Sequence, residues 1–402
     1  MSEIRVTNVL GENGNSPVNF TKGINMSGIV TATAFIPSQG QLSHRNLIIN
    51  GDFRIAQRGS SSTSSGYYTV DRFRNTASGT DEAPTQAQVD IAAGTTPYTL
   101  GFRKAYKMTN GNQTSGAGAS DAIVIGTKLE AQDMASSGWN YTSASSFITL
   151  SFWVKSSVAQ NFYGRLTTTD GTSQNYPFET GSLSANTWTK VTKTIPGNSN
   201  LQFDNNADKG IDIEWMMFRG TNNTASGVAL DTWAAYASGT RTPDQTSTWY
   251  TTNDATFEIT GVQLEVGSVA TPFEHKNFRE QLSDCQRYFF NIKGNTNAFM
   301  GIAAFANSTS TARFAIYFPV PMRTNPTYTG SGNLMFDSNN DSATFAASGM
   351  TIANGTSAYI LSTGGISSVC LEMASTSNMQ NNSGGGMIMK SDPTILNFSA
   401  EL

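Results

Sequence analysis

Between residues 147 and 154 apolar and polar positions alternate one for one. Ile148, Leu150, Phe152 and Val154 fall on one side, Phe147, Thr149, Ser151 and Trp153 on the other. Period two with one wholly apolar face marks a strand that buries half of its side chains. Similar short runs occur at 105–108, 122–129, 162–166, 187–195 and 211–218, the last with Ile211, Ile213, Trp215 and Met217 in phase. Earlier, Leu47 and Ile49 precede Asn50-Gly51 and Phe53 and Ile55 follow, a turn signal between alternating runs. Residues 67–73 read as a further strand. Polar, turn-rich segments separate these runs, and no helical period precedes residue 273 apart from a turn at 230–237. Regular short strands of this kind predict an antiparallel β-sandwich.

The stretch 256–292 changes the pattern twice. Phe257 and Ile259 alternate with polar neighbours, and after Gly261 the alternation resumes out of step with Val262, Leu264 and Val266. A glycine at a phase slip predicts a β-bulge. Phe278, Leu282, Cys285, Phe289 and Ile292 then follow at spacings of four and three, which predicts a helix over 278–292 with a short heptad seam. Asn277 with Glu280 forms a capping box, and Thr271 with Glu274 is a competing start. So short a seam needs a partner, either the protein's own sheet or copies of the same helix. Beyond it, runs at 298–306, 313–320, 358–361, 369–373, 387–390 and 395–398 predict a second, smaller β domain, with Pro319 and Pro321 marking an edge. Residues 1–41 are too poor in apolar side chains to close a core and are expected to order against something else. The fold class is therefore mainly β: an attachment segment (1–41), a sandwich (42–275), then a short connecting helix and C-terminal β domain (276–402).

Composition narrows the function. Only 13% of residues are charged and the net charge is −4, with no Lys/Arg run, which excludes charge-driven nucleic-acid binding. No apolar run is long enough for a membrane-spanning helix. The first twenty residues lack the apolar core of a secretory signal, so synthesis in a cytoplasm is expected. Cys285 and Cys370 read as small core residues, not a disulfide. The two histidines, His44 and His275, have no neighbouring ligands at metal-site spacing, and no nucleophile-elbow motif is present. Glu130, Asp133, Glu179, Asp212, Glu214, Glu258 and Glu265 are the pool for a glycosidase pair, but most are the polar half of alternating strands. Sugar stacking calls for exposed rings. Trp139, Tyr141, Trp233, Tyr236, Trp249 and Tyr250, in loop-like segments, are the candidates, while Trp153 and Trp215 read as core.

The runs NLIINGDF, ITLSFWVKSS, TWTKVTKTIPG and TFEITGVQLEVG resemble successive strands of a galactose-binding-like jelly roll, the fold of many carbohydrate-binding modules. More specifically, ITGVQLEVGSVATPFEH followed by a helix ending CQRYF, then FPVPMRTNPTYT and terminal FSAEL, resemble tail-fibre and related virion proteins of phages of marine bacteria and cyanobacteria. The resemblance covers most of the chain from residue 47 onward. It implies a non-enzymatic trimeric tail fibre or tail-associated receptor-binding protein on the exterior of the virion. Such a protein would contact host surface glycan through many weak, simultaneous contacts. Residues 1–41 would dock to other virion proteins, and Phe278, Leu282, Cys285, Phe289 and Ile292 would line the trimer axis. A head fibre or capsid decoration protein and a glycan-degrading virion enzyme are the alternatives. No cofactor is implied. The jelly-roll family commonly holds calcium near its first and last strands, and Asp52 matches the first position. Arg54 stands where a second acid is often found, however, and Thr260-Gly261 where the last strand supplies an Asp.

Overall fold

A computed structural model describes residues 43–306, 308–338, 341–352, 366–374, 379 and 383–402. The expected attachment segment, residues 1–41, and the expected strand at 358–361 lie outside them. Twelve strands build the sandwich: β1 (Ser61–Ser62), β2 (Phe73–Ser78), β3 (Thr85–Asp90), β4 (Lys104–Thr109), β5 (Ala122–Glu130), β6 (Phe147–Ser156), β7 (Asn161–Thr168), β8 (Gln174–Ser182), β9 (Thr189–Pro196), β10 (Lys209–Arg219), β11 (Ala234–Ala235) and β12 (Thr256–Val266). They form two antiparallel six-stranded sheets, ordered β1-β3-β4-β12-β6-β9 and β11-β8-β7-β10-β5-β2. The apolar phases meet between the sheets: Ile148, Leu150, Phe152 and Val154 of β6 pack with Ile211, Ile213, Trp215 and Met217 of β10.

Among the strands that went unforeseen, β3 and β8 are the longest of the sandwich, and their sequences are polar. In β3 the buried Gln86 accepts hydrogen bonds from Thr69 Oγ1 and Tyr106 Oη, both at 2.9 Å, so a polar residue fills a core position without an orphaned group. β8 carries Tyr176 and Phe178 inward among Gln, Asn and Thr. The strand expected at 67–73 lies further on, with Phe73 opening β2. The expected turn at 230–237 is not helical, and Ala234–Ala235 instead pairs with β8. Helices absent from the sequence pattern are single turns, α1 (Thr96–Thr99), α2 (Ala131–Ala135) and α3 (Thr248–Thr251).

At Gly261 the chain departs from the ladder as the phase slip predicts. The register of β12 on β6 shifts between Thr260 and Gln263, and Gly261 has φ 62°, a left-handed conformation that glycine adopts without strain.

The helix α4 is shorter than its pattern, Phe278–Gln286. Its start is the Asn277 cap, whose side chain accepts from Glu280 N at 2.9 Å. It stops because aromatic, β-favouring residues follow: Phe289 opens strand β13 (Phe289–Gly294), paired residue by residue with the C-terminal strand. The five-residue seam is therefore broken. Cys285 is buried against the sandwich side, Leu282 is half-buried and Phe278 is 57% exposed. Phe289 and Ile292, three apart, lie on opposite faces of a strand. Phe289 packs under the Arg58 guanidinium, 3.6 Å from the ring centroid, and Ile292 packs on the second core. The five residues do not share one helix.

The distal domain adds β14 (Phe299–Ala306), β15 (Thr311–Tyr317), β16 (Thr327–Ser331), β17 (Asn333–Ser338), β18 (Asp341–Ala346), β19 (Thr351–Ile352), β20 (Ser368–Ala374), β21 (Gly384–Met389) and β22 (Thr394–Ser399). A three-stranded sheet, β13-β22-β16, faces a seven-stranded one, β18-β17-β21-β14-β15-β20-β19. Phe314, Ile316, Leu334, Phe336, Leu396 and Phe398 fill the space between. Buried ion pairs tie this domain to the sandwich. Arg287 bonds both oxygens of Glu130, at 2.7 and 2.8 Å, and Tyr288 Oη donates to the same carboxylate at 2.5 Å. Arg58 and Arg72 both pair with Glu401.

Candidate functional site

The outward phase of the first sheet carries an aromatic groove. On β6 the residues opposite the apolar face are Thr149, Ser151 and Trp153, so the Trp153 indole points away from the main core and is half-buried beside Thr260 and Lys190 on the neighbouring strands. A side chain on Gly261 would meet the Phe102 ring at 2.6 Å, so the bulge glycine lets Phe102 lie across β12. Phe102, Phe273 and His275 form a triad of rings with centroids 5.0–5.2 Å apart. Between this triad and Trp153 runs a groove of about 360 Å³, also lined by Leu100, Ser151, Lys190, Ala270, Thr271 and Pro272.

The wall holding Phe273 and His275 is the segment that follows β12, and buried polar groups fix it there. Glu265 accepts from Thr271 N at 2.8 Å and Thr271 Oγ1 at 2.6 Å, while Gln263 Oε1 accepts from Glu274 N at 2.8 Å. Gln263 Nε2 in turn donates to Glu265 at 2.8 Å. His275 Nε2 lies 3.0 Å from Leu100 O, closing the rim. Every member of this set has a partner, which rigidifies the wall. The groove thus combines a broad indole face and ring edges with the side chain of Ser151 and the ammonium of Lys190. It falls within the size range of small-ligand clefts.

The loop aromatics named from sequence are placed otherwise. Trp139, Trp233, Trp249 and Tyr250 are buried in the sandwich core. Their polar tips are spent inside the protein, the indoles on carbonyls of Ser146, Pro196 and Thr256 and the phenol of Tyr250 on Asp121. No face of these rings is free to stack on a ligand. Tyr141 packs edge-on to Phe203 at 4.9 Å, and Tyr236 lies between the guanidiniums of Arg165 and Arg241. Trp153, read as core, is the ring the structure places in a groove. The signal was in the alternation: Trp153 shares its phase with Thr149 and Ser151, not with the apolar set. Trp215 is core, as read.

Apart from Asp133, whose carboxyl is pushed up by burial and the neighbouring Glu130, the carboxylates of the glycosidase pool have structural partners among the described residues. Glu258 pairs with Lys155 at 3.0 Å, and Glu179 accepts from Asn161 at 2.7 Å. On the outward phase of β10, Asp212 and Glu214 face Arg74, Arg165 and Arg219. Burial disfavours the charge on Glu214, but Arg165 and Arg219 outweigh it and hold the carboxyl down at about 2. That group stays ionised and is no general acid near neutral pH.

The calcium position implied by the jelly-roll resemblance does not fit this chain. Asp52 is 3% exposed, and both its oxygens are engaged: Arg54 Nε donates to Oδ2 at 2.6 Å and Gln281 Nε2 to Oδ1 at 2.5 Å. The Arg54 fork also reaches Lys276 O at 2.5 Å and Gln281 Oε1 at 2.7 Å. A guanidinium supplies the positive charge there and at the same time clamps α4 to the first turn of the sandwich.

No protein-family model matches the chain, and no curated protein is similar to it. Among solved structures, the chain is similar to the enzymatically active domain of bacteriophage CBA120 tailspike protein 4, at 9% identity and TM-score 0.28, over 55% of this chain and 21% of that one. It is also similar to a CBM4 structure, at 13% identity and TM-score 0.28, over 54% and 97% of the two chains. A third is the family 11 carbohydrate-binding module from Clostridium thermocellum in complex with a β-1,3-1,4-mixed-linked tetrasaccharide, at 11% identity and TM-score 0.24, over 53% and 98%. The chain thus spans about a fifth of the tailspike domain's length. No helix among the described residues is long and apolar enough to cross a membrane, and no group of three or more His, Cys, Asp or Glu among them is arranged to hold a metal ion.

Proposed function

We propose that this chain is a non-catalytic adhesive protein of a phage virion, a homotrimeric tail fibre or tail-associated receptor-binding protein whose sandwich contacts host surface glycan. The observation that carries the binding part is the half-buried Trp153 indole in its groove. A pyranose ring has an apolar C–H face and a rim of hydroxyls. It therefore suits a site with one flat ring and hydroxyl, carbonyl and ammonium groups around it. Lys190 favours glycans with acidic substituents among these. The virion part rests on the resemblance at 259–275 and the strands that follow, and residues 1–41 would provide the attachment.

Titration of host surface polysaccharide into the full chain tests the groove. Trp153→Ala should weaken binding at least tenfold, about 1.4 kcal/mol, with the β-sheet circular dichroism unchanged, and Lys190→Ala should weaken it less. Binding that survives Trp153→Ala places the ligand elsewhere. Release of reducing sugar by the wild-type chain would favour the enzyme reading. Imaging the particle with a label on this chain tests the tail location against a head fibre or decoration protein.

A further inference from the structure

The distal seven-stranded sheet has an apolar outer face. Along β14, Ala304 and Ala306 turn into the core, which leaves Phe299, Gly301, Ala303 and Phe305 on the outside. Phe299 is 70% exposed, Phe305 42% and, on β15, Tyr317 64%. At 150–250 Å² per aromatic side chain, these three present roughly 350 Å² of ring surface to solvent. That is within the size of the largest apolar patch on a typical soluble monomer, a patch that is often functional.

The face has relief as well as polarity. Ala303 pairs with Gly386, and on the adjoining pair of strands Ala315 pairs with Cys370. These small side chains form a shallow trough across β21, β14, β15 and β20. Phe299 on one side, opposite Ile388, and Phe305 on the other, opposite Gly384, stand above it as ridges. A Cβ on Gly386 would lie 3.3 Å from the Phe299 ring, so this ridge leans over the trough's end. The charges on this part of the face are Arg313 and Glu372, which neutralise each other at 2.5 Å, and Asp337, which pairs with Gly386 at the trough's edge.

We infer that copies of this chain associate through this face, the aromatic ridges of one seating in the small-residue trough of the next. The chemistry favours a second copy over other occupants. Gly, Ala and Cys side chains offer a glycan hydroxyl no strong partner, and a self-neutralised ion pair gives an anionic membrane nothing to attract it. A ridge and a trough on the same sheet are self-complementary, the requirement for a contact that repeats around a symmetry axis. The rings of two such faces would remove roughly 700 Å² from water. Met335 and the flanking Ala and Cys carry the contact toward the area of about 1,000 Å² that a specific interface needs. The inference shares with the proposed function only that the protein is oligomeric. It moves the assembly contact from α4 to the distal sheet.

Light scattering on the full chain at micromolar concentration tests it, with Phe305→Glu and Phe299→Glu. Both positions are exposed, so a folded monomer should tolerate either change. A mass of two or three chains that falls to one in these variants upholds the inference. A wild-type monomer, or a mass unchanged by both variants, overturns it. Ala303→Cys gives a second readout that needs no charge in the interface. Rapid interchain disulfide formation under mild oxidation supports the contact, and its absence in a wild-type-sized oligomer puts the interface elsewhere. Glycan affinity per chain should be the same in Phe305→Glu and wild type. Loss of glycan binding through Trp153→Ala with assembly intact, or the reverse, therefore separates this face from the groove.

Discussion

The Asp52–Arg54 pair makes a quantitative prediction, because the fold places a nearly inaccessible carboxylate on one guanidinium and one amide. Arg54→Met removes the charge but keeps most of the side-chain length. It leaves Asp52 beside Gln281 alone and frees Lys276 O and Gln281 Oε1. Breaking a buried pair by removing one partner costs about 3–5 kcal/mol. The Arg54 side chain is 28% exposed, so water relieves part of this and the lower end applies, about 3 kcal/mol. Asp52→Asn keeps the Gln281 contact and should cost about 1.5–3 kcal/mol, the scale of one charge-assisted hydrogen bond. The double variant has no unpaired charge, so its loss should be about 2 kcal/mol smaller than the sum of the single losses. Urea unfolding followed by tryptophan fluorescence measures all three, with the Arg54→Met midpoint shifted down by about 1 M. Wild type should melt at the same temperature with or without chelator. Additive single losses would show that the two residues are not coupled, and a wild-type midpoint that collapses in chelator would show that a metal ion, not Arg54, neutralises Asp52.

Two further outcomes follow from buried charges. Burial lifts the Asp71 carboxyl to about 6, against the opposing pull of Arg58 and Gln57. Native Asp71 therefore holds a proton that the unfolded chain has lost between about pH 4 and 6, and its contribution to stability falls as pH rises through that window. Asp71→Asn should remove a dependence of about 3 kcal/mol, the worth of about two pKa units, so equal pH profiles for variant and wild type would contradict the assignment. Glu130→Ala strips Arg287, Tyr288 and Gln132 of a shared acceptor and should cost about 3–5 kcal/mol at the domain junction. All six tryptophans lie in the sandwich, so far-UV circular dichroism should begin to melt before tryptophan fluorescence. Coincident, unshifted transitions would show that the junction does not hold the domains together.

Much of the fold was legible because alternation is a direct image of burial. The strands at 105–108, 122–129, 147–155 and 211–218 are present with the expected apolar faces, and the slip at Gly261 is a bulge. What the pattern misjudged has specific causes. β3 and β8 bury polar groups that find their partners in distant segments, as Gln86 does in Thr69 and Tyr106, and such satisfaction leaves no local trace. The spacing of Phe278, Leu282, Cys285, Phe289 and Ile292 mimicked a helical seam because a strand begins in mid-pattern and two periods happen to coincide. Arg287 and Tyr288, which anchor on Glu130, end the helix by a contact across 157 and 158 positions of sequence.

The loop aromatics and the groove part company for a related reason. Loop-like segments suggest free rings, yet a loop passing over a sandwich end has apolar surface beneath it, and Trp139, Trp233 and Trp249 bury themselves there. A ring on the outward phase of a strand has no such refuge unless another segment covers it. At Trp153 the covering segment, residues 267–276, is held by Glu265 and Gln263 close enough to build a wall but not to close over the indole. Gly261 brings Phe102 to the same side. The bulge and the strap are therefore parts of one construction, and both descend from the single phase slip in β12. Moving the glycine would alter the groove without touching the main core. Gly261→Val would drive a branched side chain into the Phe102 ring and force a left-handed backbone on a β-branched residue. Glycan binding should therefore fall, while the inward residues Ile259 and Leu264 keep the sandwich folded. If Gly261→Val binds as wild type does, the groove's shape does not depend on the bulge, and Trp153 alone would account for the site.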